Sequence, residues 1–247
     1  MIDPGETAAL AGIAFLGALI FGITGFGSAL VTIPLATHFV PLKFALALFA
    51  LTDLVSALRV GMENPRGAVR AEWTRLVPMI AVGTVLGATL LVHLPRTAGM
   101  ALLGAFVVSY AVYSLARKED GGRISGRWAW VAGLGGGLTS TLFGAGGPPY
   151  AIYLSQRGLS KEQFRATMGF ATITSISLRV TAFLVTGLLL EPAVWWTALF
   201  VVPAVLLGIF VARRIFLLVS RALLMRAVAA LLLATGASLL WRAAAAA

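Results

Sequence analysis

Two arginines set inside hydrophobic runs are the residues of this chain best suited to chemistry. Arg59 and Arg179 each occupy a Leu-Arg-Val triplet, at 58–60 and 178–180, 120 residues apart. An arginine held in lipid costs at least a few kcal/mol, so it normally faces a cavity or a partner. Its planar guanidinium offers a fork of donors that matches two oxygens of one anion. Both arginines are candidates for binding an anion, and the competing fate of each is to snorkel to the headgroups. Asp53 is the one acidic residue far from a helix end. It could carry a coupling ion, H+ in the first instance, or pair with one of the arginines. The matching stretch of the second half, Thr172–Thr174, has no carboxylate.

Glycine-rich breaks accompany these charges. Thr24, Gly25, Phe26, Gly27 and Ser28 interrupt one hydrophobic run; Gly144, Ala145, Gly146 and Gly147, followed by Pro148-Pro149, interrupt another. Unpaired backbone in lipid costs several kcal/mol and persists only where it is buried in protein or lines a cavity. Proline suits the first turn of a helix, where its missing N–H had no partner. Each break therefore ends one helix and starts another, whose N-terminal amides carry about half a positive charge and attract anions. Close helix packing through small residues is the competing explanation, and the one expected for Gly83 and Gly87. A nucleotide-binding glycine loop is excluded, because no strand–helix alternation surrounds Gly22–Ser28. The hydroxyls of Thr24, Ser28, Thr139, Ser140 and Thr141 could line a pathway or bond their own helix backbone.

The breaks are also repeats. Gly25 and Gly144 lie 119 residues apart, Phe49-Ala50 and Phe170-Ala171 lie 121 apart, and so do Gly87 and Gly208. The chain reads as a duplicated unit: a first repeat over 1–116, a linker over 117–127, a second repeat over 128–242 and an alanine tail over 243–247. Its 247 residues are 60% hydrophobic and 11% charged, more apolar surface than a soluble domain can bury. It is expected to be an all-α polytopic protein of the lipid bilayer. Hydrophobic runs fall near 8–37, 42–62, 75–93, 98–116, 128–156, 165–189, 193–212 and 222–242. Six suit a single span of about 20 residues. The first and fifth, near 30 residues, hold the breaks. They are too long for one upright helix and too short for two crossings, so each is expected to be a re-entrant pair of half-helices.

Charge supports that topology. If all eight runs crossed, basic residues outside the spans would divide eight against nine. With the fifth run re-entrant, the loops 66–75, 117–127, 157–165 and 213–226 share one face with fourteen basic residues. Lys43, Arg96 and Arg242 are left on the other. Such an excess marks the cytoplasmic side. A re-entrant first run would place Asp3 and Glu6 outside. Each repeat then has three spanning helices, and an odd number inverts the second repeat relative to the first. The acidic first residues argue against a cleaved signal peptide. The tryptophans Trp128, Trp130, Trp195 and Trp196 read as interfacial anchors.

Composition excludes several classes. Without cysteine there is no disulfide, thiolate metal site or cysteine nucleophile, and two histidines near helix ends suggest no metal centre. No serine or carboxylate is set beside a plausible base, so neither catalysis nor a cofactor is expected. The net charge of +10 is assigned to cytoplasmic loops rather than to nucleic-acid binding.

Gly25-Phe26-Gly27-Ser28 with Pro34, and Gly144-Ala145-Gly146-Gly147-Pro148, resemble the paired glycine-rich breaks of the sulfite exporter TauE/SafE family, also grouped as toluene-sulfonate uptake permeases. The resemblance covers roughly Ala8 to Trp241. Ser28 stands where another glycine is common, and Tyr153 aligns with Pro34. The resemblance implies an inner-membrane permease for a small anion such as sulfite, a sulfonate or an organosulfur acid, driven by an ion gradient. Without it, the residues leave open a passive anion channel, a carboxylate transporter and a membrane-embedded assembly factor, and homo-oligomerisation is equally open.

Overall fold

The computed structural model describes residues 3–116, 124–215 and 221–245, and all regular structure among them is helical. Most of the expected linker (117–123) and the last two alanines of the expected tail lie outside the described residues. The first half holds α1 (Pro4–Thr24), α2 (Ser28–Ala36), α3 (Leu42–Gly61), α4 (Arg70–His93) and α5 (Arg96–Ala116). The second holds α6 (Trp128–Phe143), α7 (Gly147–Ser155), α8 (Lys161–Val185), α9 (Pro192–Ile215) and α10 (Arg221–Ala245). Six described helices are long and apolar enough to cross a membrane, and the protein is a multi-pass membrane protein. Ala243–Ala245, read from the sequence as tail, continue α10 instead, since alanine is the best helix former and nothing there stops it.

The helices begin where local chemistry dictates. Asp3 caps α1, accepting from the Gly5 N–H at 3.1 Å while Glu6 reaches back to the Asp3 N–H. Ser160 and Gln163 form the same reciprocal cap on α8. The breaks fall at the glycines. Gly25 and Gly144 terminate α1 and α6 with φ of 81° and 73°, a left-handed conformation that side chains disfavour.

One expectation needs correction. The first run is not two half-helices, because α1 has 21 residues and reaches about 32 Å at 1.5 Å per residue. No residue before Gly25 interrupts the backbone ladder, so the first arm is one continuous helix of spanning length. Its return arm, α2, has 9 residues. The second hairpin is unequal in the same sense, with 16 residues in α6 and 9 in α7.

Small residues bring the long arms against their neighbours. α4 packs on α6, where a Cβ on Gly87 would stand 2.8 Å from Thr141 Cβ and 3.0 Å from the Leu138 carbonyl. α9 packs on α1, where a Cβ on Gly208 would stand 2.6 Å from the Phe15 carbonyl. Gly87 and Gly208 are the duplicated pair of the sequence, and each serves the long arm of the opposite half. α3 crosses α8 directly, with Gly61 against Gly169, and α5 packs on α10 through Gly104 and Gly236. Contacts therefore come in matched sets.

Ion pairs and hydrogen bonds define two ends. At one, the Ile124 N–H donates to the Gln156 carbonyl at 3.2 Å, so the two ends of the α6–α7 hairpin meet. Arg157 pairs there with Glu72, and Arg165 and Arg213 pair with Glu63. At the other end Arg242 donates to the Thr37 carbonyl and Lys43 to the Val92 carbonyl, each at 3.1 Å.

Candidate functional site

Both breaks, the middle of α3 and the middle of α8 converge on one buried cavity of about 20 Å³. That is room for about one water. Gly27 and Ser28 come from the first break and Gly144–Gly147 from the second; Asp53 comes from α3, and Thr172 and Ser175 from α8. The breaks touch directly, since a Cβ on Gly147 would stand 2.8 Å from the Phe26 Cβ.

A chain of polar contacts ties these elements together. Ser28, the first residue of α2, donates its hydroxyl to Asp53 Oδ1 at 2.8 Å. Arg179 donates from Nη2 to Asp53 Oδ2 at 2.9 Å and from Nη1 to the Ser140 carbonyl at 3.1 Å. That carbonyl belongs to the last turn of α6 and also caps Gly144 at 2.8 Å. Arg179 is 0% exposed and Asp53 4%. Isolated, either charge would be prohibitive here. Removing one partner of such a pair typically costs about 3–5 kcal/mol, because the other charge is left buried and uncompensated. Four buried side-chain polar atoms among the described residues lack hydrogen-bond partners, and two of them belong here, Arg179 Nε and the Thr172 hydroxyl of the cavity wall. Native proteins leave few such groups, and each calls for a reason.

The remaining break residues shape the backbone. Thr24 donates to the Ile20 carbonyl at 2.8 Å and accepts from the Phe26 N–H at 3.3 Å, which locks the first break locally. Thr139 donates to the Gly135 and Ala145 carbonyls at 2.8 and 3.0 Å, and Thr141 to the Gly137 carbonyl at 2.9 Å. Gly146 fits tightly; a Cβ there would come within 2.8 Å of the Gly136 carbonyl. The two helix starts differ in donors. The first three residues of α7 are Gly147, Pro148 and Pro149, so only Gly147 supplies an N–H, whereas α2 offers Ser28, Ala29 and Leu30.

Arg59 is not brought to this cavity. It lies exposed in the last turn of α3, outside the cavity lining. Sequence reasoning passed over Tyr150, fully buried, which donates its hydroxyl to Ser175 Oγ at 3.0 Å beside the cavity. The signal was present: Thr172, Ser175 and Arg179 recur at helical spacing, a polar stripe on one face of α8.

Residues 10–239 match the family described as sulfite exporter TauE/SafE. A protein of Comamonas testosteroni, named as a probable inner membrane transporter protein TsaS, is 25% identical over 199 residues, covering 79% of this chain and 83% of its own. No solved structure matches.

Proposed function

We propose that this chain, which belongs to the sulfite exporter TauE/SafE family, is a secondary transporter of a small sulfur oxyanion, sulfite or a sulfonate, in a bacterial inner membrane. The single observation carrying the reading is Arg179, wholly buried, with Nε unpartnered and its other nitrogens bonded to Asp53 and Ser140, two residues that line the cavity built from both breaks. A guanidinium in a dry site is the side chain best matched to an oxyanion.

In this reading Asp53 holds Arg179 in the absence of substrate. An anion that takes two guanidinium donors must displace the carboxylate, and a proton carried on Asp53 would balance the charge of the cation it has lost. Anion and H+ would then move together, which gives Asp53 a coupling role. The cavity as it stands holds about one water, so a sulfite must part the two breaks to enter. Alternating access follows if the halves are inverted copies. The matched packing of α4 on α6 and α9 on α1 supports that arrangement, as does the opening of the two hairpins toward opposite ends. Residues 1–116 and 128–242 would be those copies.

The decisive experiment is flux of radiolabelled sulfite into proteoliposomes with and without a pH gradient. Saturable uptake accelerated by the gradient is expected. Flux that neither saturates nor responds to the gradient would make the protein a passive anion channel, and no flux of any sulfur oxyanion or small carboxylate would end the transport reading.

A further inference from the structure

A second, larger cavity of about 350 Å³ lies at the arginine-rich end and shares no lining residue with the first. It is lined by Arg75, Ser125, Gly126, Arg127, Trp130 and Arg157. Its size falls within the usual range for small-molecule sites.

The arginines are positioned, not merely exposed. Glu72, on the first turn of α4, is buried and receives Arg157 through two bonds, Nε to Oε2 at 3.0 Å and Nη2 to Oε1 at 2.8 Å. The Tyr153 hydroxyl donates to the same carboxylate, and Arg157 donates to the Ile124 carbonyl. Arg75 donates to Glu72 Oε1 at 3.0 Å, leaving its side chain 49% exposed. Arg127 forms no side-chain hydrogen bond or ion pair among the described residues. Two arginines thus share one buried carboxylate and a third, Arg127, stands exposed on the same cavity wall, so the cavity presents an excess of two positive charges to whatever enters it. Such an excess attracts an anion.

The height of the cavity narrows the choice. Trp130 forms part of its wall and is 63% exposed, and neighbouring Trp128 is 55% exposed. Exposed tryptophans at the start of a membrane helix sit at headgroup level. Basic pockets between membrane helices on the arginine-rich side hold anionic headgroups. We infer that this cavity binds the phosphate of an anionic phospholipid, with Arg127 and Arg75 as donors and Arg157 held in place by Glu72. A lipid seated here would bridge the start of α4, the start of α6 and the turn after α7, the elements that must shift if the second hairpin moves. The inference does not depend on the transport reading.

The test compares two variants that remove equal charge from the same face. Arg127→Gln alters the cavity; Arg70→Gln removes an exposed arginine outside its lining. Binding of phosphatidylglycerol to purified protein in phosphatidylcholine micelles is followed by native mass spectrometry. Arg127→Gln should weaken retention roughly tenfold or more, the loss of a charge-assisted contact, while Arg70→Gln stays within about twofold. Trp130→Ala should weaken it by a smaller factor. Equal losses in Arg127→Gln and Arg70→Gln would show general surface attraction and overturn the site. Displacement of the lipid by equimolar inorganic phosphate would make the occupant a free oxyanion and overturn the lipid assignment.

Discussion

Arg59 and Arg179 share a triplet, an offset and a helix-crossing, yet one is exposed and the other is the largest fully buried side chain. α3 packs against α8. Arg179 meets Asp53 there. Shifting Asp53 by the same 120 residues gives Ile173, which packs on Gly61 and offers no carboxylate. Burial of a guanidinium requires a counter-charge, and only one half supplies it. Duplication alone therefore does not decide burial; one acidic residue, present on one side, leaves one arginine of the repeated pair buried and the other exposed.

The largest expected effects break the favoured half of that comparison. Asp53→Asn strands Arg179 in a dry environment and should destabilise the protein by about 3–5 kcal/mol, read as a lowered Tm with loss of transport. Pairing it with Arg179→Gln removes both charges. The double variant should recover much of the stability while transport stays lost. Recovery of both would reduce the pair to a structural link.

Arg179→Lys keeps the charge and the pair but replaces the fork by one point. Substrate affinity should fall by a factor corresponding to about 1.5–3 kcal/mol, roughly ten- to a hundredfold. Calorimetric affinity within twofold of the parent would remove Arg179 from the site.

The breaks can be compared in the same way. Gly25 and Gly144 share positive φ, but a Cβ on Gly25 meets nothing within 4 Å, whereas one on Gly144 would stand 2.7 Å from Ala29 Cβ and 3.0 Å from Arg179 Nη1. Gly25→Ala should cost only the conformational strain, about 1–2 kcal/mol. Gly144→Ala should lower Tm further and disturb substrate binding through Arg179. Equal Tm losses would mean that the neighbouring helices yield freely.

Arg59→Gln is the smallest change. As an exposed substitution it should alter stability by no more than about 0.5 kcal/mol and leave flux near the parent rate. A severe transport defect with an unchanged Tm would return Arg59 to the substrate path.

Much of this was legible in the chain. Hydrophobic runs give helices in lipid because every backbone polar group must find a partner within its own segment, and the runs near 42–62, 98–116, 193–212 and 222–242 become α3, α5, α9 and α10 within a few residues. Gly25 and Gly144 mark the helix ends because positive φ is a local property, and Pro148 and Pro149 open α7 for an equally local reason. Arm lengths in the first hairpin were less legible, since nothing in α1 distinguishes a half-length helix from a full one.

What the sequence by itself determined was the all-helical membrane class, the position of both breaks and the repeated spacing, all set by interactions within a turn or by the bilayer as solvent. Tertiary structure alone decided which arginine is buried and that Ser28, Asp53, Arg179 and Ser140 form one chain across the two halves. It also gathered Arg75, Arg127 and Arg157 around a single cavity. Those contacts join residues as far as 126 positions apart. Their energies depend on burial and on the facing helix, and neither quantity is written in local spacing.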